Sequence, residues 1–222
     1  MPGGRITRAE GNGVIVAAFA QQLIRRVRYG KPIVVVSGLP RSGTSMAMSM
    51  LAAGGMPVLT DGIRQADESN PRGYFELETV KELHRQRDMS WLEGAKGKAV
   101  KIVSFLLTWL PETYNYKVIF MQRDLREVIA SETAMLLKRG QPAQTANEEQ
   151  TIEMYRAHLQ KVERFLATRG CFETLRMNYR DALDRPEETA GRMRDFLGGS
   201  LDLHRMASVA DPSLYRNRAT PA

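Results

Sequence analysis

From Val34 the chain reads Val-Val-Val-Ser-Gly-Leu-Pro-Arg-Ser-Gly-Thr-Ser: an apolar strand, a tight turn bounded by Gly38 and Gly43, and two hydroxyls where a helix should begin. Backbone N–H groups of such a turn wrap phosphate oxygens, and the following helix presents the positive end of its dipole. The standard phosphate loop sets Lys directly after its second glycine, to reach the outer phosphates. Here Thr44 stands at that place, and the basic residue, Arg41, lies inside the turn. The loop suits an anion but lacks the group that handles an ATP γ-phosphate, which points to a nucleotide carrying something else. Arg41, Ser42, Gly43, Thr44 and Ser45 are its candidate ligands.

A second anion site is expected where the apolar run Lys117-Val118-Ile119-Phe120-Met121 enters Gln122-Arg123-Asp124. A kinase or NTPase would put a magnesium-holding carboxylate at such a strand end. This chain puts a guanidinium there, at the sheet edge where open α/β folds bind ligands. Ser131 lies eight residues further on, so a fork from Arg123 and a hydroxyl from the next helix could share one phosphate. Taken alone, Arg123 could equally pair with Asp124 or Glu127.

The surrounding elements are those of an α/β domain. Short apolar runs at 33–37, 57–60, 99–104, 117–122 and 172–177 predict about five strands. Helical stretches after the turn, near 77–89, at 124–139, 147–169 and 186–197 alternate with them. Alternation of this kind argues a parallel sheet flanked by helices in three layers. With 222 residues, 43% of them hydrophobic, the chain is expected to form one domain, with its core over 31–218. Residues 1–30 resemble a secretory signal only faintly. Ile15, Val16, Phe19, Ala20, Leu23, Ile24 and Val27 recur at helical spacing, with Arg25, Arg26 and Arg28 mainly on the other face, which predicts an amphipathic helix leading into the first strand. Met46, Met48 and Met50 are assigned to core packing.

The excess of 32 Lys+Arg over 25 Asp+Glu gives a net charge of +7, which favours anionic partners without choosing among them. No polybasic run marks a nucleic-acid groove, and no apolar run reaches the ~20 residues of a membrane span. Cys171 is the single cysteine; a buried structural thiol and a cytoplasmic location are the expectation.

The two anion motifs together resemble the signature segments of the sulfotransferases that use 3′-phosphoadenosine 5′-phosphosulfate (PAPS). Asn178-Tyr179-Arg180-Asp181 through Pro186-Glu187 to Phe196-Leu197-Gly198 is similar to that family's tyrosine-bearing strand end and following helix. Tyr215-Arg216-Asn217-Arg218 is loosely similar to its basic C-terminal segment. The resemblance implies a P-loop-type fold and transfer of a sulfuryl group from PAPS to a hydroxyl or amine, releasing PAP without a required metal. It implies the 5′-phosphosulfate on the first motif, the 3′-phosphate on Arg123 and Ser131, the adenine near Tyr179, and Arg216 and Arg218 capping the 3′-phosphate. The acceptor, whether small molecule, saccharide or lipid, and the oligomeric state, a homodimer included, are left open.

The catalytic base is where the sequence departs from the family's best-known branch. A Lys-Thr-His stretch is replaced by Val100-Lys101-Ile102-Val103-Ser104, which keeps the lysine and lacks the histidine. Arg41 is expected to meet the charge on the leaving phosphate. Glu76, inside Asn70-Pro71-Arg72-Gly73-Tyr74-Phe75-Glu76, is the first candidate for the base and Asp61 the second, with Asp67 and Glu68 in the same region; His84, His158 and His204 are weaker. Two other readings stand beside this one. A P-loop nucleotide or small-molecule kinase would need the missing lysine and carboxylate, and a non-catalytic PAP- or PAPS-binding protein would bind nucleotide and transfer nothing.

Overall fold

The computed structural model describes residues 24–63, 73–142 and 147–211. Four parallel strands, β1 (Ile33–Gly38), β2 (Ala99–Lys101), β3 (Tyr116–Gln122) and β4 (Phe172–Asn178), form one sheet in the order β2-β1-β3-β4. The helices are α1 (residues 24–29), α2 (Thr44–Ala53), α3 (Glu78–Lys81), α4 (Trp91–Ala95), α5 (Leu125–Lys138), α6 (Glu148–Ala167), α7 (Tyr179–Asp184), α8 (Pro186–Leu197) and α9 (Leu203–Ala207). A 3₁₀ turn, Ser104–Trp109, follows β2.

All six residues of β1 are buried, as a central parallel strand covered on both sides requires. The period of two then divides the strand between two cores. Ile33 and Val35 join Val100, Val118, Phe120 and residues of α6 on one face; Val34 and Val36 join Ile119, Met121, α2, α8 and α9 on the other. Met48 and Met50 are fully buried in the second core, so core packing is what these methionines do. Cys171 is buried at the start of β4, and burial pushes its thiol pKa up.

The architecture is the expected α/β sheet, with one strand fewer. The run at 57–60 makes only an isolated bridge, Val58 to Ala99, because the chain touches the edge strand β2 once and then turns away. The predicted helix near 77–89 is likewise reduced to the single turn of α3, with turns after it. Its polar residues offer no continuous apolar stripe to hold more.

β1 is followed in space by β2 on one side and β3 on the other, so the chain reverses direction across the sheet between β1 and β3. That is the crevice where ligands bind in open α/β sheets. Gly38 ends β1 directly opposite Met121 of β3. A Cβ at Gly38 would lie 2.5 Å from the Met121 carbonyl oxygen and 2.4 Å from Ser42 Oγ, so only glycine lets the two strand ends close at that point.

Candidate functional site

The turn 39–43 is held from within and from across the crevice. Ser42 Oγ donates to the Leu39 carbonyl at 2.7 Å, and the Ser42 N–H to the same oxygen at 3.2 Å, so this hydroxyl fastens the loop. Arg41 sits in the left-handed region at φ 66°, a conformation that costs a non-glycine residue energy and persists only where neighbours enforce it. Two contacts that hold it come from the second motif. Arg123 Nη1 donates to the Arg41 carbonyl at 3.1 Å, and Arg41 Nε donates to Ser131 Oγ at 3.0 Å. The two motifs, about eighty residues apart, are one hydrogen-bonded unit. A cavity of about 120 Å³ opens beside Leu39, Ser42, Gln122 and Arg123.

Arg123 is fixed by its own helix. Asp124 caps α5, accepting from the N–H groups of Arg126 and Glu127, and this sets Glu127 one turn beyond Arg123. Glu127 Oε2 accepts from Arg123 Nε at 2.9 Å, with the two side chains 3% and 7% exposed. The other Glu127 oxygen lies 3.8 Å from Arg180 of α7. The Arg123 guanidinium also stacks on the Tyr179 ring, 4.5 Å from its centroid, a cation–π contact strengthened by burial. Tyr179 is buried at the start of α7, where Asn178 caps the helix. A Cβ on Gly43, whose φ is 98°, would fall 2.4 Å from that ring. Arg41, Ser42, Gly43, Thr44, Arg123, Ser131 and Tyr179 therefore gather at one edge of the sheet.

A second cluster flanks the start of α2. Lys101, at the end of β2 and 9% exposed, donates to Ser45 Oγ at 3.4 Å and to the Tyr74 carbonyl. Its ammonium is 3.7 Å from Glu76 Oε1, while Lys81 lies 3.3 Å from Glu76 Oε2. Phe75, just before Glu76, has φ 51°, so the backbone is bent where the carboxylate is presented. Glu76 is thus joined through Lys101 to Ser45, in the first turn of α2.

Asp61 has a different occupation. Its Oδ1 accepts from the Ile63 N–H at 3.0 Å and its Oδ2 from the Glu78 N–H at 2.6 Å, at the first residue of α3. These two bonds, Ile63 first, hold its carboxyl below the usual range. The geometry makes Asp61 an anchor for the start of α3, while Glu76 has the contact with the site. Arg216, Arg218, Asp67 and Glu68 lie outside the described residues.

Two sets of contacts were not legible in the sequence. Lys101 stood out as a retained lysine, but its partners did not. The second is a pair from distant segments: Ser104 Oγ lies 2.9 Å from His158 Nε2, and Phe105 stacks on the His158 ring at 3.9 Å. Nothing local in the sequence announces it. Glu127, by contrast, stands four residues from Arg123, the spacing at which side chains meet on a helix, and the pairing with it that the sequence allowed is the one formed.

Burial, and then the charge of Lys161, hold the His158 pKa below its ordinary value. A lowered folded-state pKa means that the neutral ring stabilises the fold, fully so above the unfolded value of about 6.5, and that this contribution is lost as pH falls. Melting curves from pH 7.5 to 5.5 should therefore show a larger drop in Tm for the wild type than for His158→Gln. Equal drops would remove His158 as the cause.

No protein-family model and no curated protein matches the chain. Among solved structures, sulfotransferase STF9 from Mycobacterium avium matches 92% of this chain and 73% of its own length with a TM-score of 0.51 at 14% identity. Sulfotransferase STF1 from Mycobacterium tuberculosis H37Rv matches 87% of this chain and 75% of its own length with a TM-score of 0.50 at 15% identity. The chain has the sulfotransferase fold. At such identity the likeness is one of backbone architecture, and it agrees with the parallel sheet and the glycine-bounded turn. Among the described residues no helix is long and apolar enough to cross a membrane.

Proposed function

We propose that the chain is a sulfotransferase that moves the sulfuryl group of PAPS to a hydroxyl or amine of an acceptor, in line and without a metal. The observation that carries this reading is the junction of the two anion motifs: a phosphate-type turn without its lysine, hydrogen-bonded through Arg41 to Arg123 and Ser131. A nucleotide with phosphate groups at both its 5′ and 3′ positions offers one anion to each. Tyr179, stacked beneath Arg123, offers an aromatic edge to the base. Arg216 and Arg218 complete the proposed nucleotide set.

In the transfer, a bond forms between the acceptor oxygen or nitrogen and sulfur while the bond from sulfur to the 5′-phosphate oxygen breaks, its electron pair staying on that oxygen. The backbone N–H groups at the start of α2, the hydroxyls of Thr44 and Ser45, and the cations Arg41 and Lys101 are the donors for that growing charge. The acceptor proton goes to Glu76, the carboxylate that the Lys101 contact ties to this turn.

Calorimetry with PAP and with ATP, both without magnesium, tests the donor. PAP should bind at least about tenfold tighter, ~1.4 kcal/mol. Equal affinities, or ATP binding that requires magnesium, would favour a kinase. A mass-spectrometric screen with PAPS across hydroxyl and amine acceptors tests the transfer: the expected product has gained one sulfuryl group, and PAP binding with no product from any acceptor supports a non-catalytic binder.

A further inference from the structure

The second anion motif contains a charge that opposes an anion. Arg123, Glu127 and Ser131 follow one another at intervals of four residues, the spacing that puts side chains on one face of a helix. A carboxylate therefore stands one turn from each of the two groups proposed to hold a phosphate. Water does little to screen it, because the Glu127 side chain is buried. Its Oε2 accepts from Arg123 Nε at 2.9 Å, and the two charges of that pair sum to zero. A phosphate monoester brings about two negative charges at neutral pH. At this place it would meet a cation whose charge is already matched.

A second guanidinium arrives from the neighbouring strand. The register of the sheet sets Gln122 of β3 beside Asn178 of β4, so the segments leaving these strands start side by side at the C-terminal edge. Asn178 caps α7, its side chain accepting from the Arg180 N–H at 2.8 Å. The first two residues of the helix then point about 100° apart. Tyr179 turns inward beneath Arg123, while the Arg180 side chain is 51% exposed. Arg180 Nη2 comes to 3.8 Å from Glu127 Oε1, the second oxygen of the same carboxylate. At that separation the contact is a charge pairing and not a hydrogen bond, so it draws Arg180 to the site without tying its fork to Glu127. One buried carboxylate thus orients two guanidiniums, and two cations with one carboxylate leave a single positive charge. We infer that Arg180 determines specificity at the second anion site: held by Glu127 beside Arg123, it makes the site prefer a nucleotide with a 3′-phosphate over one with a bare 3′-hydroxyl. The inference rests on the PAPS reading and adds to it a residue and the charge that this residue supplies.

Calorimetry of the full chain with PAP and with adenosine 5′-monophosphate (AMP) isolates this charge, since the two nucleotides differ only in the 3′-phosphate. The wild type should prefer PAP. Arg180→Gln should cut that preference by about tenfold with AMP affinity unchanged, the scale of one charge-assisted hydrogen bond. Arg180→Lys keeps the charge and should retain most of the preference. A ratio of PAP to AMP affinity that Arg180→Gln leaves intact overturns the inference; with a fall in Tm, it assigns Arg180 to neutralising Glu127 alone. Equal weakening of both nucleotides, or a loss of preference as large in Arg180→Lys as in Arg180→Gln, overturns it as well. A wild type that binds PAP no tighter than AMP fails the PAPS reading itself and takes this inference with it.

Discussion

Glu76→Gln should lower kcat for sulfuryl transfer by about 10²–10⁴, the usual contribution of a positioned base, with PAP affinity unchanged. The amide keeps the reach of the side chain and its hydrogen bonds but accepts no proton at neutral pH. Because Glu76 also pairs with Lys101 and Lys81, the loss could arise from a displaced Lys101. The pH profile separates the two causes. If the carboxylate takes the proton, the acid limb of kcat/KM disappears in Glu76→Gln; if it only steadies Lys101, the limb survives at lower amplitude. Asp61→Asn serves as the comparison. It should affect stability more than turnover, since both carboxylate oxygens hold backbone N–H groups. Full turnover in Glu76→Gln, with Asp61→Asn impaired, would move the role to Asp61.

Arg123→Ala should weaken PAP by about 1.5–3 kcal/mol, the scale of a charge-assisted hydrogen bond. It carries a second cost, since it removes the closer cation of Glu127, 3% exposed, and leaves Arg180 at 3.8 Å. Removing one partner of a buried ion pair destabilises a fold by about 3–5 kcal/mol. Arg123→Met combined with Glu127→Leu removes both charges and should recover most of that stability while PAP binding stays weak. If the folded double variant binds PAP as the wild type does, Arg123 has no part in holding the nucleotide.

The strand positions and the order of helices were legible because buried parallel strands are short unbroken apolar runs and their helices begin with Asp124, Asn147 or Pro186. The spurious strand at 57–60 shows the limit of that signal: apolar residues beside an edge strand pack without extending the ladder. At the site, residue types and local spacing singled out the turn 38–45, Arg123 and Ser131, which the structure brings together. What no spacing encodes is contact between segments. The bond from Arg41 to Ser131, the stacking of Arg123 on Tyr179 and the triad of Glu76 with two lysines exist only once the sheet brings strand ends together. The sequence ranked Glu76 ahead of Asp61 as candidates, and the structure separates them by which N–H groups and ammonium groups lie within reach of each.

Arg123 grips the backbone carbonyl of Arg41 from the neighbouring strand's end, and this bears on how portable the glycine-bounded segment is. The octapeptide Gly38–Ser45 carries only part of its own shape, in the Ser42 bonds to the Leu39 carbonyl. Grafted onto another strand–helix junction it would keep every residue and relax Arg41 out of its left-handed conformation, because the clasp that holds it there belongs to a different stretch of chain. Transplanting the motif thus requires moving β3 and the first two turns of α5 along with it, and a search for relatives by the short motif alone will collect turns that never close.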